Sequence, residues 1–91
     1  MKHSQFITEE IVSTDERTTA LQLVGIYRLE ILVTKGTVSF KFDKSNIVSN
    51  TLKAGNTKVF LTPTDALFSG TITFHLATNS RVELNYTRVY E

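Results

Sequence analysis

Apolar and polar residues alternate along most of this chain, with little trace of a helical period. From Leu29 to Asp43, apolar side chains fall at every second position on both sides of Lys35-Gly36: Leu29, Ile31 and Val33 before it, Val38, Phe40 and Phe42 after it. A two-residue turn at Lys35-Gly36 predicts a hairpin in which Val33 faces Val38, Ile31 faces Phe40 and Leu29 faces Phe42. The other face of that hairpin would set Glu30 opposite Lys41 and Arg28 opposite Asp43, two favourable charge pairs. A slip of one residue would destroy both patterns.

A second alternating pair closes the chain. With Thr78-Asn79-Ser80 as its loop, Leu76 faces Val82, Phe74 faces Leu84 and Ile72 faces Tyr86, while Thr71, Thr73 and His75 oppose Thr87, Asn85 and Glu83 on a polar face. A third hairpin about Gly55-Asn56, within Leu52 to Val59, would bring Lys53 opposite Lys58. Pro63 cannot donate to a ladder, so Thr62 to Ser69 reads as a loop. Near the start, Phe6 to Ser13 reads as a strand followed by a polar loop, because Ser13-Thr14 and Thr18-Thr19 interrupt the helical periodicity that Ile7 to Ala20 would otherwise allow.

Short alternating strands separated by turn signals predict an all-β antiparallel sandwich or jelly roll of about seven to eight strands. Its predicted core is Leu29, Ile31, Val33, Val38, Phe40, Phe42, Ile72, Phe74, Leu76, Val82, Leu84 and Tyr86. At 91 residues the chain is one domain, residues 1–91.

Composition narrows the function classes. Net charge is only +1, without a basic block, so nucleic acid is not an expected partner. The apolar-rich run from Leu21 to Val33 is broken by Gln22, Gly25, Arg28 and Glu30, so no membrane partner is expected either. The opening residues lack the basic and apolar regions of a secretory signal, so export by that route is not expected and the cytoplasm is. There is no cysteine, which removes disulfides, thiolate metal sites and cysteine nucleophiles.

Catalytic chemistry finds little footing. The two histidines are His3, near the terminus, and His75, on a polar strand face with Glu83 as its predicted neighbour and no nucleophile elbow nearby. No transition-metal spacing is present, and the loop Asp43-Lys44-Ser45-Asn46 lacks the glycine and distal glutamate of a calcium loop, while Asp65 stands alone. Glu9-Glu10 and Asp15-Glu16 are sequence neighbours that point different ways along an extended chain, unlike a glycosidase pair. Phosphate-cradling glycine motifs are missing. The expectation is no catalytic residue, no cofactor and no metal: not an enzyme.

What remains is contact. Phe6 and Ile7 on the first strand could add to a neighbour's sheet edge, and Leu67 and Phe68, following Pro63, would be exposed unless another subunit covers them. These four are the candidate interface of a homo-oligomer. The stretches Phe68-Ser69-Gly70-Thr71-Ile72-Thr73-Phe74 and Arg81 to Tyr90 resemble small β domains of bacteriophage and prophage virions. That resemblance implies a capsid, tail or accessory component joined to copies of itself or to other virion subunits. The segment Thr51 to Leu61, in which Asn56 directly follows Gly55, also looks like the L-x-A-G-x-N-x-x-x-x-L stretch of jelly-roll carbohydrate-binding families less one residue, which implies a glycan as the alternative partner, with Tyr27 and Tyr90 as stacking residues. Tryptophan, the usual sugar-stacking residue of those families, is absent.

Overall fold

A computed structural model describes residues 3–43, 50–62 and 66–90. In chain order its strands are β1 (His3–Val12), β2 (Arg17–Lys35), β3 (Thr37–Phe42), β4 (Asn50–Lys53), β5 (Thr57–Leu61), β6 (Phe68–Leu76) and β7 (Arg81–Tyr90), with no helix among the described residues. Every pairing is antiparallel. Hydrogen bonds join all seven strands into one sheet, ordered β1-β7-β2-β6-β3-β4, with β5 also on β2. The all-β antiparallel class predicted from the alternation is the observed one.

β2, at 19 residues, holds this sheet together by serving two halves of it. Its first part, from Arg17 to Ile26, pairs with β6, and its second part, from Ile26 to Lys35, pairs with β7 and β5. The register breaks between Leu23 and Ile26, where Gly25 sits at φ +66°. A Cβ on Gly25 would lie 2.7 Å from the Val89 carbonyl oxygen, so both the backbone angle and the close approach of β7 require glycine there.

Side chains from both halves share one core, formed by Leu23, Ile26, Leu29, Ile31, Val33, Val38, Phe40, Ile72, Phe74, Leu76, Val82, Leu84 and Tyr86. Eleven of the twelve predicted core residues are buried, and Phe42 is half-buried against them. Leu23 and Ile26 are additions, brought in by the bend of β2.

The three predicted hairpins are not formed. Phe40 pairs with Phe74 of β6, not with Ile31, whose partners are Leu84 and Lys58. Leu76 pairs with Val38 and Arg17, not with Val82, whose partners are Val33 and Ile11. Lys53 pairs with Thr37, and Lys58 with Ile31, so the like-charge pair never arises. Each tight connection is instead a corner that carries the chain from one set of partners to another. Mirror-symmetric apolar positions about a turn suit either two strands side by side or two strands facing each other across a core, and alternation does not distinguish them. The predicted charge pairs vanish for the same reason: Arg28 meets Glu30 at 3.2 Å, and Asp43 Oδ1 accepts from the Thr71 N–H at 3.2 Å.

Polar side chains hold the corners. Ser13 and Ser80, both buried, exchange bonds: the Ser13 N–H donates to the Ser80 carbonyl at 2.8 Å and the Ser80 N–H to Ser13 Oγ at 3.0 Å. Ser13 Oγ also donates to the Ala77 carbonyl at 2.7 Å. The end of β1 is thereby tied to the β6–β7 corner. Among the described residues, no buried side-chain polar atom lacks a partner.

Candidate functional site

Five of the six phenylalanines serve the interior. Phe42 lies edge-on to Phe60 at 5.2 Å and to Phe68 at 5.3 Å, and Phe40 contacts Phe42, Phe60 and Phe74 at 6.0 to 6.3 Å between ring centres. Such tilted and edge-on pairs suit the ring quadrupole. Phe6 is the exception, at 85% exposure on β1.

Position along the strand explains why. In β1, Ile7, Glu9 and Ile11 pair with Tyr86, Leu84 and Val82 and share their inward face; Ile7 and Ile11 pack partly on the core. Phe6, Thr8 and Glu10 alternate to the outside, opposite Thr87, Asn85 and Glu83. β1 is the terminal strand of the sheet and keeps an unbroken register with β7 over ten residues, so its far side is a long, regular edge that no strand among the described residues covers.

The outer face beyond it has a polar centre and apolar margins. Thr8 Oγ1 donates to Asn85 Oδ1 at 2.9 Å, Asn85 Nδ2 donates to Glu30 Oε1 at 3.2 Å, and Arg28 bonds the other Glu30 oxygen. This chain of bonds crosses β1, β7 and β2. Arg81 bonds Glu10 on the same face, and that hydrogen bond holds the arginine pKa above its usual value. Phe6 flanks the network on β1, while Leu61 and Val59, 66% and 41% exposed, flank it on β5. Asn85 opens an Asn-x-Thr triplet with Tyr86 and Thr87, and its side chain is engaged in the sheet's own network.

Inside the same strand pair, the Tyr86 hydroxyl donates to Glu9 Oε1 at 3.0 Å. Burial, together with this bond, pushes the phenol up to about 12.

The opposite half of the sheet carries a different surface. Thr18, Ser39, Phe40, Lys41, Thr73 and His75 line an open cleft of about 270 Å³. His75 does not meet Glu83; its Nε2 lies 3.2 Å from Glu16 Oε1 and its Nδ1 lies 2.9 Å from Thr18 Oγ1. The reason is again the corner at residues 77–80, which sends β6 and β7 to different neighbours. Ser39 and Thr51 hydroxyls join at 3.1 Å across β3 and β4.

The remaining sequence candidates are spread out. Leu67 is half-buried, and Phe68 packs on Phe42 and the core from its place at the start of β6. Tyr27 is half-buried in β2, where its carbonyl accepts from the Thr62 N–H at 3.0 Å. Tyr90 is 43% exposed, 5.5 Å from the His3 ring and 5.8 Å from the Arg88 guanidinium. His3 is thus part of β1 and not a loose end. Tyr27 and Tyr90 are not in the hydroxyl-lined cleft. Among the described residues no cluster of three His, Asp or Glu is disposed to hold a metal. Lys44 to Asn46 of the considered oxygen loop, Pro63 and Asp65 lie outside the described residues.

Alternation could have separated Phe6 from Ile7, since neighbours on a strand face opposite ways. It could not reveal the Ser13–Ser80 clasp, whose members are far apart in the chain. Compared with protein-family models, curated proteins and solved structures, the chain matches none.

Proposed function

We propose that this chain is a non-enzymatic structural or assembly module, a virion accessory, capsid or tail component that works through protein contacts with copies of itself or with other virion subunits. The folded sheet is read as a sandwich of jelly-roll type whose free edges do the joining. The observation that carries this reading is the treatment of phenylalanine: two are buried, three pack together against them at the core, and one stands 85% exposed on a ten-residue edge strand. A large apolar side chain beside unpaired backbone groups is costly to leave in water and is well suited to a neighbouring strand. Size-exclusion chromatography with light scattering tests it. A defined oligomer whose fraction grows with concentration supports self-assembly; a monomer up to millimolar concentration overturns it.

The carbohydrate-binding alternative draws on the cleft lined by Thr18, Ser39, Lys41, Thr73 and His75, whose hydroxyls, ammonium and imidazole suit sugar hydroxyls. Glycan-array binding lost on changing Thr73 and His75 to alanine, in a protein that stays monomeric, would replace assembly by this reading.

A further inference from the structure

Resting on the assembly reading, we infer that the partner of β1 is a second copy of β1, paired antiparallel about a two-fold axis that passes beside Phe6. Three features of the strand lead to this register. First, β1 offers the longest uninterrupted edge: β4 and β5, the other short margins, span four and five residues. Second, side-chain alternation lets residue i face only a residue of the same face, so the axis must pass through a residue and not between two.

Third, the chemistry along the edge selects which residue. With Phe6 on the axis, Phe6 meets Phe6 of the second copy and Ser4 meets Thr8 on the outer face, while Gln5 meets Ile7 and His3 meets Glu9 on the inner face. Gln5 beside Ile7 is then the one mixed pair, and the others are favourable: two exposed aromatic rings cover each other, two hydroxyl residues adjoin, and an imidazole N–H faces a carboxylate at both ends. An axis through Ile7 sets Ser4 against Glu10 and His3 against Ile11. An axis through Thr8 sets Phe6 against Glu10 and Ile7 against Glu9, and axes through Glu9 or Glu10 oppose identical carboxylates. The Phe6 axis also joins the two outer faces edge to edge, so the exposed ring leaves solvent without any rearrangement of the core.

The test exploits the self-facing position. Phe6→Glu and Phe6→Lys should each be monomeric by light scattering at concentrations where the wild-type chain self-associates, and an equimolar mixture of the two should recover the dimer, because only a residue opposite itself turns two repulsions into one attraction. Circular dichroism of each variant, and its thermal unfolding at concentrations where the wild type is itself monomeric, should match the wild type, since the side chain is 85% exposed. The cysteine-free sequence allows a second readout: Ser4→Cys mixed with Thr8→Cys should form a mixed disulfide on mild oxidation, whereas a parallel pairing would give only the two homodimers. If the wild-type chain oligomerises and the Phe6 variants still do, the β1 edge is wrong while assembly stands. If both variants are monomeric and their mixture stays so, the register is wrong. A wild-type monomer at all concentrations removes both the edge and the self-assembly reading.

Discussion

The Ser80 hydroxyl accepts from the Thr37 N–H and donates to the Thr37 carbonyl, each at 3.1 Å, so one side chain does for Thr37 what a paired strand would do. Thr37 opens β3 immediately after Gly36, and Ser80 closes the corner before β7. The two connections that resemble hairpin turns in the sequence are therefore bound to each other. Ser80→Ala removes the Thr37 N–H acceptor in a site where Ser80 is 1% exposed, and should cost about 1–3 kcal/mol. Urea unfolding with an unchanged m-value measures it; a loss under a few tenths would mean that water replaces the hydroxyl.

Gly36 stands against the same corner at φ +72°, and a Cβ there would come within 2.9 Å of the Asn79 carbonyl oxygen and Ser80 Cα. Both atoms are backbone and cannot swing aside. Gly36→Ala should destabilise by more than the ~1 kcal/mol of a merely unfavourable backbone angle. A thermal scan showing an unaltered midpoint would mean that the two corners move apart freely.

Tyr86 makes stability depend on alkaline pH. Burial, and then the bond to Glu9, favour the neutral phenol and push it from the usual tyrosine value of 10.0 up to about 12. A raised folded pKa means that the folded chain holds the proton more tightly than the unfolded chain. The contribution is complete below pH 10 and is lost as pH rises toward 12. Tyr86→Phe should flatten this alkaline decline, and the late part of the phenolate absorbance change should be smaller in the variant than in the wild type.

Phe68 separates core from interface. Its ring lies 5.3 Å from that of Phe42 and packs partly on the core, so Phe68→Ala should cost about 1–3 kcal/mol, below the range for a fully buried phenylalanine. Oligomer size should not change. An intact fold with a lost oligomer would instead make Leu67 and Phe68 the contact surface.

His75→Ala should leave stability within about 0.5 kcal/mol, since its contact with Glu16 joins side chains that are 50% and 71% exposed. Any substrate turnover that this variant abolished would overturn the non-enzymatic reading.

The sequence by itself determined which residues face inward. Alternation at Leu29, Ile31, Val33, Val38, Phe40, Ile72, Phe74, Leu76, Val82, Leu84 and Tyr86 placed them on apolar faces, and all are buried. Phe6 stood among four contact candidates with Ile7, Leu67 and Phe68, and the structure leaves Phe6 exposed while the other three are half-buried. What alternation cannot carry is the identity of the neighbour. A hairpin about Lys35-Gly36 and a corner there bury the same side chains, and the choice turns on where the backbone N–H and C=O groups find partners. The tertiary structure decides it by three contacts without local signal: the clasp of Ser80 on Thr37, the Ser13–Ser80 exchange, and the bend of β2 at Gly25 against Val89. The same contacts give His75 to Glu16 and Thr18, not to Glu83, because they send β6 and β7 to opposite flanks of β2. Periodicity is a property of one strand; pairing belongs to the whole chain, whose hydrogen bonds must all be met at once.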